Sequence, residues 1–205
     1  MSIETNKHYD DAGRWHQRAV LLRSEDDGAT WSEPTPLAQD KTGQVFNWDL
    51  RAGVDGAGTA ASFAWTYNTK TEKYQNIHRR ISHDHGRTWS APTDLGFPDQ
   101  AGPPAILLDG RVVLAWVDRF GDQCIRARIA PSVDANFDLE SEVIVYLHSA
   151  PKNGKNQDTG KLLAGMEMWS FGLPFATALP GGDVLVTYYA GDSQTMSLHF
   201  TRLEV

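Results

Sequence analysis

The sequence predicts an all-β chain made of repeated four-stranded antiparallel units, and three observations predict it. First, Ser24, Asp26, Gly28, Thr30, Trp31, Ser32 and Pro34 return at the same spacing as Ser82, Asp84, Gly86, Thr88, Trp89, Ser90 and Pro92. Second, three turn signals, at Asp55-Gly56, Asp109-Gly110 and Gly181-Gly182, each lead into a β-rich run that ends in an aromatic residue. Third, no stretch sustains the 3.6-residue apolar period of a helix, which excludes alternating helix–strand folds. Only residues 150–170 leave room for a helix longer than two turns.

The repeated segment reads S-x-D-x-G-x-T-W-S-x-P, which has the chemistry of a tight turn between strands. Asp folds its carboxylate back onto backbone N–H groups, Gly takes a positive φ, and Trp is expected to plug the turn. A worn third copy starts at Ser132 and carries Asp134, with Asn136 where Gly stood. The starts at 24, 82 and 132 are 58 and 50 residues apart. Such a period suits the blades of a propeller, which repeat roughly every 40–50 residues.

Each unit then has strands a to d in chain order. Strand a is expected at 49–54, 104–108 and 174–179, and strand b at 59–65, 112–116 and 184–189. Strand c is expected at 75–82, 123–130 and 196–204, with the repeated turn joining c to d. Residues 16–37 supply only c and d of a first blade, 45–97 a second, 103–149 a third, and 172–205 strands a to c of a fourth. That gives 13 strands, about half of the 24 that the six blades implied by the family resemblance given below would carry. A carboxy-terminal half of a ring is the favoured expectation, ahead of two copies sharing one ring or a small incomplete propeller.

Composition narrows the partners. The 205 residues are 40% hydrophobic and 22% charged, enough to bury a core. The formal charge of −7 has the wrong sign for binding nucleic acid. No apolar run approaches the ~20 residues of a membrane helix, so no membrane partner is expected. The polar start at 1–11 lacks a secretory apolar core, so the chain is expected to stay inside the cell or to lack its true start. Cys124 is the only cysteine, which excludes an intramolecular disulfide and a cysteine-based zinc site. The seven histidines show no ligand spacing, and neither metal nor cofactor is expected.

The two complete copies resemble the Asp boxes, or BNR repeats, of the sialidase superfamily, whose members are mostly six-bladed β-propellers. The resemblance covers about 15–205 as architecture. It implies an all-β sialidase-type propeller with three to four blades in this chain, a single partial domain over 1–205, and boxes at 24–31 and 82–89. It implies an exo-acting glycoside hydrolase on glycans, and Asp boxes equally mark non-catalytic propellers that bind a glycan or protein. Sialidases grip a substrate carboxylate with three arginines and use a Tyr–Glu nucleophile pair and an Asp acid/base. Arg51, Glu167 and Tyr188 or Tyr189 are the residues that such a set would leave here. The usual context of the later catalytic residues is replaced by Phe171-Gly172-Leu173-Pro174.

Strand alternation assigns the rims. The c–d and a–b turns share one end, while the b–c loops and d-to-a connections share the other, which is the catalytic rim. The boxes therefore lie on the structural end, with His83 and His85 as solvated surface residues. The candidates on the catalytic rim are Glu167, Asp118 and Tyr188 for catalysis. Trp48, Asp49, Arg51, Arg119 and Trp169 are the candidates for gripping a carbohydrate, whose ring faces stack on Trp and whose hydroxyls take bidentate bonds. Asp118 and Arg119 could equally form a rim salt bridge, and Trp48 and Trp169 could plug between blades. Self-association that completes the ring is expected of a half-ring with open flanks. Far-ultraviolet circular dichroism is expected to show a β-dominated spectrum; a helix-dominated one would contradict this fold.

Overall fold

The computed structural model describes residues 1–6, 12–13, 16–149, 169–192 and 194–205. Every strand pair is antiparallel, and the described residues contain no helix. The first sheet is β1 (Ser2–Thr5), β2 (Arg18–Leu21) and β3 (Thr35–Gln39). The second is β4 (Val45–Val54), β5 (Ala60–Asn68), β7 (His78–Ser82) and β8 (Thr93–Asp94), with β6 (Lys73–Tyr74) beside the far end of β5. The third opens with β9 (Gln100–Ala101) and β10 (Ala105–Ile106), both paired to β11 (Val112–Asp118), then β12 (Cys124–Ala130) and β13 (Val143–Leu147). The fourth is β14 (Phe171–Ala178), β15 (Val184–Gly191) and β16 (Met196–Leu203). These sheets are arranged as blades of a β-propeller.

The core lies between blades. All seven residues of β11 are buried because both faces of its sheet are covered. Val113, Ala115 and Val117 pack with Ala176, Val184 and Val186 of the fourth blade. The alternate residues Val112, Leu114 and Trp116 pack with Phe63, Ile77 and Phe97 of the second. Each large apolar side chain so buried contributes about 1.5–3 kcal/mol against exposure. A smaller cluster of Ala19, Leu37, Leu50 and Ala64, with Leu21 and Trp89 against it, joins the first blade to the second.

The boxes fold as their chemistry requires, with the same bonds in both copies. Asp26 Oδ1 accepts Thr30 N–H at 2.8 Å and its Oδ2 accepts the Thr30 hydroxyl at 2.6 Å. Asp84 repeats both bonds to Thr88 at the same distances. Ser24 and Ser82 each donate to their Asp and accept the Gly28 or Gly86 N–H.

The second and third boxes also meet the blade before them. A Cβ on Gly86 would stand 2.7 Å from Leu21 Cδ2, and its φ of +78° independently favours glycine. In the next blade Arg79 donates to the carbonyl of Ala135 on the worn third box. Leu21 and Arg79 both stand three residues before the Ser of their own box. Near the axis the approach is closer still: a Cβ on Gly102 would lie 2.0 Å from the Pro174 carbonyl oxygen.

Three expectations are corrected. The first blade has three strands, because the polar start forms β1, which pairs with β2 from Ser2↔Leu21 to Thr5↔Arg18. Strand a of the third blade is two short pieces separated by Gly102-Pro103-Pro104, where two prolines supply no N–H to a ladder. Trp31 is not a buried plug: it is 46% exposed, whereas Trp89 packs against the first blade. Trp31, Val54, His85 and Trp89 line one open pocket of about 680 Å³, so the box turns and the first complete a–b turn do share one end.

Trp89→Ala is expected to cost about 2 kcal/mol, less than the 3–5 of a fully buried aromatic. Trp31→Ala is expected to cost under about 1 kcal/mol, as surface substitutions usually do. Urea unfolding of the two variants checks the order; equal losses would contradict the packing described.

Candidate functional site

On the opposite rim, polar side chains from the first three blades and the entry to the fourth form one connected chain. Its first part stands on β4. The ladder between β4 and β5 slips between Trp48 and Arg51, and Asp49 takes a left-handed φ of 46°, a β-bulge that re-aims the side chain. Asp49 Oδ2 accepts from Gln100 Nε2 at 2.6 Å, and its Oδ1 lies 3.6 Å from the Arg51 guanidinium. The backbone N–H of the next residue, Leu50, donates to Glu4 Oε1 at 2.8 Å. Burial raises the pKa of Glu4; the Leu50 N–H and Arg51 oppose that rise, and the Asp49 carboxylate adds to it. Two carboxylates and one guanidinium thus meet at a corner where Asp49 and Arg51 are half-buried and Glu4 remains exposed to solvent.

The second part centres on Arg119, at the end of β11. Its Nη2 donates to Gln100 Oε1 at 2.9 Å and its Nη1 to the Phe171 carbonyl at 3.0 Å. Its guanidinium lies 3.8 Å over the Trp169 ring, a cation–π contact. Burial lowers its pKa, against the opposing pull of Asp99 and a hydrogen bond with Tyr189. Asp99 is wholly buried and accepts the Arg119 backbone N–H at 3.2 Å. Burial pushes the Asp99 carboxyl up to about 7, against the lowering by Arg119.

An aromatic wall flanks this chain. Trp48 stacks on Tyr67 with ring centres 5.6 Å apart and planes 3° from parallel. Trp65 stacks on Tyr74 at 4.3 Å, and Tyr74 on Phe120 at 5.6 Å. Trp169 tilts against Trp65 at 6.0 Å. Trp48, Tyr74, Phe120 and Trp169 are only half-buried, which leaves ring surface at the rim.

Trp48, Asp49, Arg51, Arg119 and Trp169 therefore come together. Asp118 is buried beside them, but its carboxylate closes the 118–123 turn by accepting the N–H groups of Gly121 at 2.8 Å and Asp122 at 3.2 Å. It also lies 3.6 Å from Arg126. Tyr188 points away from the rim into the core between the third and fourth blades, stacked on His199. Its neighbour Tyr189 faces Arg119 instead, since successive strand residues face opposite sides. Glu167 lies outside the described residues. The sequence reading missed Glu4, Asp99, Gln100 and Tyr74. The signal for Asp99 and Gln100 was their place on the 97–103 connection, already assigned to this rim. Among the described residues no three His, Cys, Asp or Glu side chains gather as a metal site needs, and no helix is long and apolar enough to cross a membrane.

No protein-family model and no curated protein matches the sequence. Solved structures do. A protein of unknown function from Dyadobacter fermentans superposes on all of this chain and 50% of its own, with a TM-score of 0.70 and 22% identity. A leech intramolecular trans-sialidase complexed with 2,7-anhydro-Neu5Ac covers 97% of this chain with 31% of its own, at a TM-score of 0.56 and 14% identity. Sucrose-6-phosphate hydrolase from Lactobacillus gasseri covers 100% with 44%, at 0.52 and 14%. The chain spans half or less of the length of each of these proteins. At such identities the likeness shows the fold, a glycosidase-like propeller.

The raised carboxyl of Asp99 sets a pH dependence. In the unfolded chain an Asp ionises near 3.9, so between about pH 4 and 7 the folded protein holds a proton that the unfolded chain has released. Stability is expected to fall across that window as pH rises, and Asp99→Asn is expected to remove that part of the slope. Thermal melts from pH 4 to 8 check this; identical slopes in both proteins would contradict it.

Proposed function

We propose that residues 1–205 form a single partial propeller domain of the sialidase superfamily, and that this rim binds and hydrolyses a glycan. The observation that carries the reading is the meeting of Glu4, Asp49 and Arg51 at the bulge in β4. A glycoside hydrolase of the usual kind needs one carboxylic acid and one carboxylate flanking the scissile bond. Glu4, with its raised pKa, is the acid that protonates the leaving oxygen. Asp49, held by Gln100, is the carboxylate that stabilises or attacks the anomeric carbon. Arg51 grips an anionic or hydroxyl-rich sugar, and Trp48, Tyr74 and Trp169 offer ring faces for stacking. Glu167, two residues before Trp169 in sequence, remains in this reading as a further candidate carboxylate. On the far face of the fourth blade Leu198 is 86% and Phe200 73% exposed, which supports self-association with a second copy.

A non-catalytic glycan-binding propeller is the second reading. What favours it is that Arg119 makes its polar contacts with Gln100, Phe171 and Tyr189 inside the protein.

A panel of aryl glycosides, sialosides included, distinguishes the two readings. Turnover is expected to fall about 100-fold in Glu4→Gln and in Asp49→Asn, the scale of losing an acid/base group, and to decline in the wild type as pH rises and Glu4 loses its proton. Glycan binding without turnover, lost in Asp49→Asn, would replace the hydrolase with the binding reading. Neither turnover nor binding would overturn both.

A further inference from the structure

Between the third and fourth blades lies a second polar group that the proposed hydrolase does not use. Ser170 Oγ stands 2.9 Å from His148 Nε2, and His148 Nδ1 stands 3.0 Å from the Tyr146 hydroxyl. Both distances are those of a nucleophile beside its base and of a base beside the group that orients it.

Each member is fixed by its surroundings. Tyr146 belongs to β13, and its ring lies 5.3 Å from Tyr188. The His148 backbone N–H donates to the Gln123 carbonyl at 2.9 Å, and the imidazole stacks on Phe171 at 4.6 Å. The Ser170 carbonyl accepts the Gly191 N–H at 2.8 Å, tying the residue to β15. Burial lowers the pKa of His148 below its ordinary 6.5, which keeps the ring neutral at pH 7 as a base must be. With Nδ1–H donating to Tyr146, the Nε2 lone pair faces the Ser170 hydroxyl.

We propose that Ser170, His148 and Tyr146 form a nucleophile, its general base and a positioning residue for hydrolysis of small carboxylic esters. Ser170 Oγ bonds to the ester carbonyl carbon while its proton passes to His148 Nε2. Collapse breaks the carbon–alkoxy bond, and the alkoxide leaves as the alcohol with that proton. Water then attacks the acyl group on Ser170 and gives a proton to Nε2. The second collapse frees the carboxylic acid and returns the proton to Oγ. Water is the only co-reactant. By accepting Nδ1–H, the Tyr146 hydroxyl orients the imidazole toward Ser170, the orienting part of the task that a carboxylate performs in the Ser-His-Asp arrangement. The inference is independent of glycan hydrolysis, because its probes read neither Glu4 nor Asp49.

Reaction of the full chain with a fluorophosphonate, followed by peptide mass spectrometry, tests it. The expected result is an adduct on Ser170 that forms more slowly as pH drops and His148 gains a proton. The groups facing that imidazole or its neighbours are Tyr146 from β13, Tyr188 from β15, His199 from β16 and Arg119, which donates to Phe171. Hydrolysis of p-nitrophenyl acetate is expected to fall about 100-fold in Ser170→Ala and in His148→Gln. Tyr146→Phe is expected to retain the adduct but shift its pH profile. Ser170→Cys supplies a check that does not depend on esterase turnover: its thiol, beside His148, is expected to react with iodoacetamide at least about tenfold faster than Cys124. Cys124 is buried, and burial pushes its thiol up to about 11. An unlabelled Ser170 in a protein with intact circular dichroism, ester hydrolysis unchanged in Ser170→Ala, or a thiol in Ser170→Cys no faster than Cys124 would each overturn the proposal.

Discussion

A sheet with two apolar faces is stable only when both are covered, and the rest of this structure depends on that constraint. Strand β11 meets it fully, with every residue buried between the second and fourth blades. Covering both faces forces neighbouring blades close together, most of all near the axis, where Gly102 and Pro174 leave no room for a Cβ. The same closeness brings Asp99, Gln100 and Arg119, at the edge of the third blade, within bonding distance of each other and of Phe171 in the fourth. The polar chain at the rim thus follows from apolar stacking beneath it.

Burying those charged groups is costly unless they are paired and hydrogen-bonded. Arg119 meets the condition with two directed donors and the face of Trp169. Asp99 meets it in part, and its proton affinity rises accordingly. Asp49 and Arg51 stand apart from this economy, because they stay half-exposed on a bulge with a left-handed residue. Such strain persists where surrounding structure over-determines it, here through Gln100 on one side and the Leu50–Glu4 bond on the other.

The repeated S-x-D-x-G-x-T-W turns, the turns before the second strands and the order of strands were legible because turn chemistry is local and repeats. Five of the eight candidate site residues meet at the rim because they sit on β4 near the rim or on connections beside strand ends, and strand alternation fixes which end of the blade those are. Glu4 was hidden because four residues, Ser2–Thr5, are too few to show a period, and β1 forms only by pairing with β2. The choice between Tyr188 and Tyr189 turned on register, and a one-residue difference reverses the face. Trp31 misled because its residue type matched a plug, while its burial depended on what lies beside the first blade. Asp118 misled because a short turn needs a carboxylate to cap its N–H groups as much as a reaction needs an acid.

The contacts that the first and second blades make with the next box are directed at backbone. Leu21 lies against Gly86, which has no side chain, and Arg79 donates to the carbonyl of Ala135. An aliphatic residue and a cation can therefore fill one position of the repeat, because neither has to match a particular side chain on its neighbour. Blades joined in this way can drift apart in sequence while keeping their spacing, as in arrays whose stability is summed over nearest neighbours. The lasting signature of such a chain is then the turn itself, which is why the boxes stay readable where the strands between them have lost their likeness.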